Sequence, residues 1–249
     1  MAEAGTSAKL KAIAVLIDGE NAQPSLLGET LAEISKYGRS TIRRIYGDWT
    51  TPNMNGWKSV LQENAIQPIQ QFRHTVGKNA TDSAMIIEAM DILHSGVADG
   101  FCVVSSDSDY TRLATRIRER GLFVIGIGRL KTAKSFTNAC DVFVFTENLT
   151  PQAGKSGARS VESTIPATTL SVMKALPLLQ KALKNSAQDD GWATLSSVGS
   201  TMRSLDSSFD HRTYGCPNLR TLIGKFSDLL EIREEKTTGG NTVAFVRHK

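Results

Sequence analysis

Carboxylates recur in this sequence where the chain changes direction. The apolar run 12–17 ends in Asp18-Gly19-Glu20-Asn21, and the apolar run 101–104 ends in Ser105-Ser106-Asp107-Ser108-Asp109. Asp82 opens a strongly helical pattern, and Asp48 follows an alternating segment at Gly47-Asp48-Trp49. In an open parallel sheet, ligands bind outside the carboxyl ends of the strands, where the strand order reverses. Several aspartates around one small volume there cannot all stay ionised unless a cation compensates them. Hard ions such as Mg2+ or Mn2+ take oxygen ligands, usually one or two carboxylates with water and a substrate phosphate. Such a site can activate water and stabilise the leaving oxygen of a phosphodiester.

Each acid alone has an ordinary explanation. Asp82 and Asp109 stand where a helix N-cap would be, Asp18 precedes a turn glycine, and Asp48 beside Trp49 reads as structural. Three separate elements delivering acids to one end of a sheet is a stronger signal than any one acid. No general base stands out: His74 and His94 are isolated and read as surface or packing residues, and water activated by a metal needs neither. Lys78, in the polar loop 73–79, reads equally as a phosphate contact or a solvated lysine. Arg112, Arg116 and Arg120 recur at four-residue spacing. That is usually a solvated helix face, although near a metal it could track a phosphate backbone.

The elements that must position these residues alternate regularly. Residues 12–17 read as a buried parallel strand. A helix follows at 24–37, with Leu27, Leu31 and Ile34 in phase, Pro24 in its first turn and Gly38 after its last. A second strand spans 40–46 and a second helix about 55–64. The third strand, 66–70, is short, and Pro68 places it at an edge. A strong helix at 80–95 puts Met85, Ile86, Ala89, Met90 and Leu93 on one face. Strand 101–104, helix 110–120, strand 122–128, a short helix at 133–138 and strand 141–145 complete an α/β parallel sheet with helices on both faces. The first and fourth strands would then be neighbours at the switch point.

From 148 to about 168 the chain is rich in Pro, Gly and Ser without apolar periodicity, as in a linker. Helices then read at 170–183, 194–205 and 218–226, followed by strands 229–233 and 242–247 joined by a Thr-Thr-Gly-Gly turn. Three helices and a hairpin in about 80 residues are the layout of a winged helix-turn-helix. The boundaries are thus a tail at 1–10, an α/β domain at 11–148, a linker at 149–167 and a winged-helix domain at 168–249.

Forty per cent hydrophobic and 22% charged residues suit an ordinary globular protein. No stretch approaches the roughly 18 apolar residues of a membrane span, and residues 1–11 lack the apolar core of a signal peptide. Three cysteines without metal-ligand spacing point to a reducing, cytoplasmic setting. Residues 1–148 carry 16 basic and 16 acidic side chains, whereas 149–249 carry 13 and 9, which locates the whole net charge of +4. A solvated surface explains that excess about as well as a polyanionic partner does.

Ile17-Asp18-Gly19-Glu20-Asn21, Tyr46-Gly47-Asp48-Trp49, Lys78-Asn79-Ala80-Thr81-Asp82 and Ser105-Ser106-Asp107-Ser108-Asp109-Tyr110 resemble, in matching order, the motifs of the NYN domain, a PIN-like nuclease family. The resemblance covers about residues 10–148 and implies a metal-dependent ribonuclease. By position, Asp18, Asp82 and Asp107 match the family's metal-binding acids, with Asp109 close behind and Asn21 matching the asparagine after the first acid. Ser105 and Lys78 would support the site. Ser106 stands where the family often has glycine. Residues 168–249 resemble a LOTUS (OST-HTH) winged-helix domain, through Gly191-Trp192-Ala193-Thr194-Leu195 and the apolar residues around 209–232. This implies binding of RNA or docking of a protein partner, with Arg212, Arg220 and Lys225 able to reach phosphates. Trp192 reads as core rather than as a stacking platform.

The leading expectation is an Mg2+- or Mn2+-dependent endoribonuclease acting on single-stranded or structured RNA, with a C-terminal module that holds RNA or a partner. The alternatives are a non-catalytic RNA-binding adaptor on a nuclease fold, and a winged-helix regulator that binds DNA. A homodimer stays open, since no stretch specifies one.

Overall fold

In the computed structural model, residues 10–72, 80–149, 170–236 and 242–249 are described. The chain divides into two compact units, Met1–Gly154 and Lys155–Lys249. The tail, the loop 73–79 with His74 and Lys78, most of the linker and the Thr-Thr-Gly-Gly turn lie outside the described residues.

Strand β1 (Leu10–Asp18) lacks polar residues from 12 to 17 because it lies mid-sheet with helices against both faces. It pairs in parallel with β2 (Gly38–Gly47) on one side and β4 (Gly100–Val104) on the other. With β3 (Gln67–Gln70), β5 (Phe123–Gly128) and β6 (Val142–Phe145), the order is β3-β2-β1-β4-β5-β6, all parallel. The order reverses between β1 and β4, as the sequence requires, and Pro68 lies in the edge strand.

Alternation along β1 splits the core in two. Ala14 and Leu16 face one cluster with α3 (Ala80–Ser95), α4 (Thr111–Glu119) and α5 (Lys134–Ala139). Ile13, Val15 and Ile17 face the other, with α1 (Leu27–Ile34) and α2 (Lys58–Glu63). Burying five successive side chains of one strand at 0–1% exposure contributes roughly 1.5–3 kcal/mol for each large aliphatic residue.

The first two helices are shorter than their periodicity suggests. Each opens with a proline-led 3-10 segment, Pro24–Leu26 and Pro52–Trp57, because proline fixes φ but offers no N–H to an α-helical ladder. The inward face of α3 is formed by Thr81, Met85, Ala89, Ile92 and Leu93, while Ile86 and Met90 are only half-buried.

The second unit packs α6 (Leu176–Ser186), α7 (Leu195–Leu205) and α8 (Leu219–Gly224) around Leu179, Leu183, Val198, Met202, Leu222 and Ile223. Its hairpin of β8 (Leu230–Lys236) and β9 (Thr242–His248) gains a third, antiparallel strand, β7 (Ala193–Thr194). Two residues at a helix entry leave no sequence signature of a strand. Thr194 then caps α7 through the Ser197 N–H, and Asn218 caps α8 through the Thr221 N–H. Trp192 is buried, with the guanidinium carbons of Arg233 and Arg247 at 4.3 and 4.5 Å from its ring centroid. All three cysteines are free and buried. Among the described residues no helix is long and apolar enough to cross a membrane.

Candidate metal centre

Pairing of β1 with β4 brings Asp18 and Ser105 together at the carboxyl edge of the sheet. Asp18 ends β1 and is 1% exposed. One carboxylate oxygen accepts from Asn21 Nδ2 (2.7 Å) and Ser105 Oγ (2.8 Å), and the other accepts the backbone N–H groups of Glu20 and Asn21. Burial raises its pKa and these four donors oppose the rise. Gly19 is required beside it, because a Cβ there would meet Met54 Cε at 2.7 Å and the Tyr46 carbonyl at 2.9 Å.

Ser105 also links two acids, since its Oγ accepts the Asp107 N–H at 3.1 Å. Asp107 caps the 3-10 turn Ser108–Tyr110 by accepting the Asp109 N–H at 2.9 Å. Asp82 lies in the first turn of α3, and Tyr110 Oη donates to it at 2.6 Å. Neither Asp82 nor Asp109 is a helix N-cap; Asp107 takes that role. Burial raises the Asp82 pKa, Tyr110 opposes it, and the charges of Asp18, Asp107 and Asp109 push it further up. Tyr110 is wholly buried, and burial together with the nearby carboxylates drives its own pKa far above the ordinary tyrosine value. It therefore acts as a fixed donor rather than a base.

Carboxylate oxygens of Asp82, Asp107 and Asp109 lie within 4.8 Å of one another, close enough to hold a metal ion. Asp18 stands outside this trio, its oxygens committed to Asn21, Ser105 and the backbone, yet near enough to act on Asp82 electrostatically. Asp48 is apart from the cluster and anchors a turn, accepting from Thr50 Oγ1 (2.6 Å) and Gln70 Nε2 (3.0 Å). Ser106 accepts the Arg129 N–H at 2.8 Å and so ties the ends of β4 and β5. Sequence reasoning missed Tyr110 and Thr81, whose Oγ1 donates to Glu20 at 3.3 Å. An aromatic hydroxyl next to an acidic motif is a usable signal, because a buried tyrosine needs a partner.

The profile of the NYN domain matches residues 12–148. The chain belongs to the NYN-domain family. Its sheet order and flanking helices are those of a PIN-like α/β fold. Behind the NYN domain, the profile of the OST-HTH/LOTUS domain matches residues 173–242. Among solved structures, a protein of unknown function from Vibrio parahaemolyticus is 17% identical with a TM-score of 0.46, covering 56% of this chain and 94% of its own. An uncharacterised protein from Nitrosomonas europaea is 28% identical with a TM-score of 0.31, covering 39% and 90%. Comparison with curated protein sequences gave no match.

The cations named from sequence fall into different environments. Within the NYN domain, Arg112 is exposed on α4 and makes no ion pair among the described residues, whereas Arg116 pairs with Glu119 at 3.1 Å. Arg118 binds Asp141 at 3.1 Å, and His94 Nδ1 contacts the Met90 carbonyl at 2.7 Å. In the OST-HTH domain, Arg212 grips Asp210 through Nε (2.9 Å) and Nη2 (2.6 Å), and Arg220 pairs with Glu234. Lys225 is exposed and outside any ion pair among the described residues.

Proposed function

We propose that this protein is a divalent-metal-dependent endoribonuclease whose OST-HTH domain holds RNA or a protein partner. The observation that carries the proposal is the trio Asp82, Asp107 and Asp109, collected from two elements at the switch point of an NYN sheet beside buried Asp18. Oxygen-only donors of this kind suit Mg2+ or Mn2+. When bound, such an ion supplies a Lewis acid for the phosphodiester and lowers the pKa of water.

The chain's own residues prepare that chemistry. Tyr110 fixes the rotamer of Asp82, and the Asp109 N–H fixes that of Asp107. Ser105 and Asn21 hold Asp18, which adds negative potential beside the trio. Mutual repulsion among the acids disfavours the metal-free, fully ionised cluster, and a bound cation would relieve it. Arg112 and Lys78 would meet phosphates of the RNA. Three free, buried cysteines support a reducing, cytoplasmic setting.

Purified protein should cleave RNA on addition of Mn2+, and Asp107→Asn or Asp18→Asn should abolish cleavage without changing the circular dichroism spectrum. Cleavage undiminished in both variants would remove the site from the mechanism. RNA binding without any calorimetric signal for divalent metal would favour the adaptor reading instead.

A further inference from the structure

The carboxyl edge of the NYN sheet changes sign along its length. Acids gather where β1 and β4 end, whereas the loop leaving the next strand, β5, reads Arg129-Leu130-Lys131-Thr132-Ala133-Lys134, with three cations and no acid. The two regions are joined directly. The Ser105 N–H donates to the Ile127 carbonyl at 2.9 Å, the Arg129 N–H donates to Ser106 Oγ at 2.8 Å, and Asp107 is the next residue along.

This loop is pinned by its own contacts. Leu130 packs against the core, and its N–H lies 3.0 Å from both carboxylate oxygens of Glu147. Thr132 is buried and donates both its N–H and its hydroxyl to the Arg129 carbonyl, at 2.9 and 2.6 Å. Lys131 and Lys134 are exposed and Arg129 is half-buried, and none of the three makes an ion pair among the described residues. A loop already ordered by such contacts loses little further freedom when an anion arrives.

The arginine series on α4 divides by the same geometry. The helix starts at the carboxyl edge, and at 1.5 Å per residue it carries Arg120 roughly 12 Å from Arg112, towards the amino edge. Arg116, between them, pairs with Glu119. Arg112 alone of that series stands at the acids' end of the sheet.

We infer that the loop between β5 and α5 is a phosphate track, on which Arg129, Lys131 and Lys134 bind phosphates of the RNA to the β5 side of the scissile bond. Contacts of this kind fix the register of a strand without reading its bases. The inference rests on the nuclease reading for its substrate, but its test does not require cleavage.

The full chain, kept in EDTA so that the RNA stays intact, is titrated into a short, unstructured, fluorescently labelled RNA at salt from about 50 to 200 mM, with anisotropy as the readout. On a single strand each phosphate contact adds about 0.7 to the steepness of log K against log salt. Replacing Arg129, Lys131 and Lys134 together by Gln should therefore flatten the slope by about 2 and weaken binding at least about tenfold at low salt. Lys131→Gln with Lys134→Gln, both exposed, should flatten it by about 1.4, and this pair decides the question if the triple variant does not fold. Arg39→Gln with Arg120→Gln removes the same charge from the amino edge, where β2 starts and α4 ends, and should leave the slope unchanged. A slope unchanged in the lysine pair, or flattened as much by the amino-edge pair, would overturn the inference, as would a wild type that binds no RNA. Cleavage of RNA with the slope unchanged in the lysine pair would sink the track alone. A flattened slope in a protein that cleaves no RNA with any divalent metal would sink the nuclease reading alone.

Discussion

Asp82 stands half-buried among three other carboxylates, and burial and their charge together raise its pKa. A carboxyl whose folded-state pKa is raised stabilises the fold below its ordinary value, and that stabilisation is lost as pH rises through the raised value. Near neutral pH the metal-free protein therefore carries the cost of an ionised cluster. Asp82→Asn removes the charge but keeps an oxygen for the Tyr110 hydroxyl. In EDTA at pH 7 this variant should melt above wild type, and the difference should vanish as pH falls towards 4. Saturating Mn2+ should reverse the order, since a ligand at 100 times its Kd adds about 2.7 kcal/mol to the protein that binds it. A variant melting below wild type in EDTA, or gaining as much from Mn2+, would contradict this account. Ser105→Ala should slow cleavage about 10–100-fold with the metal requirement intact, as expected when a group that orients an acid is lost. Asp18, Asp107 and Asp109 were legible in the sequence because they follow buried strands, and Asp82 because it opens a strongly helical pattern. Which oxygens meet was not, since that depends on rotamers fixed by Tyr110, Ser105 and the turn at 108–110, all of them contacts between distant segments.

At the scale of elements, β1, β4, β5 and β6 were legible because each carries an apolar run, and a run buried on both faces has few other readings; β2 was legible only by its alternation and β3 only as a short piece with an edge proline. Other short pieces were not: the 3-10 segments carry no periodicity, and β7 is two residues that pair only because β9 arrives beside them. Glycines show how tightly the elements meet. A Cβ on Gly126 in β5 would overlap the Phe143 ring on β6 and lie 2.8 Å from Cys140 Sγ. Gly126→Ala should therefore destabilise the NYN domain by about 1–3 kcal/mol, the usual cost of overpacking. Gly28, in α1, has nothing within 4 Å of its would-be Cβ. Gly28→Ala should instead stabilise by up to about 1 kcal/mol through helix propensity. Urea denaturation of the two variants would test the contrast, and equal shifts of the same sign would show that the packing of β5 against β6 is looser than described.

For the molecule as a whole, the positive excess of residues 149–249 overstates the arginine charge that is free among the described residues. Arg212, Arg220, Arg233 and Arg247 are each paired with an acid of their own unit. Exposed pairs of this kind contribute little to stability, but Arg212 with Asp210 is different because both are mostly buried. Burial alone would raise the Asp210 pKa; the Arg212 fork, the Arg212 N–H and His211 outweigh it and hold the carboxyl below its ordinary value. The sign is thus opposite to that at Asp82: the stabilisation is present above the unfolded value of 3.8 and is lost as pH falls through the lower folded value. Asp210→Asn should cost the OST-HTH domain about 1.5–3 kcal/mol at pH 7, the range for hydrogen bonds to charged groups. The cost should shrink steadily below pH 4. Hydrogen exchange of the α8 amides Leu222 and Ile223 in the full chain would report it, as faster exchange in the variant at pH 7 that converges with wild type in acid. A difference that persists undiminished at pH 2.5 would mean that Asp210 acts through the shape of its turn rather than through its charge.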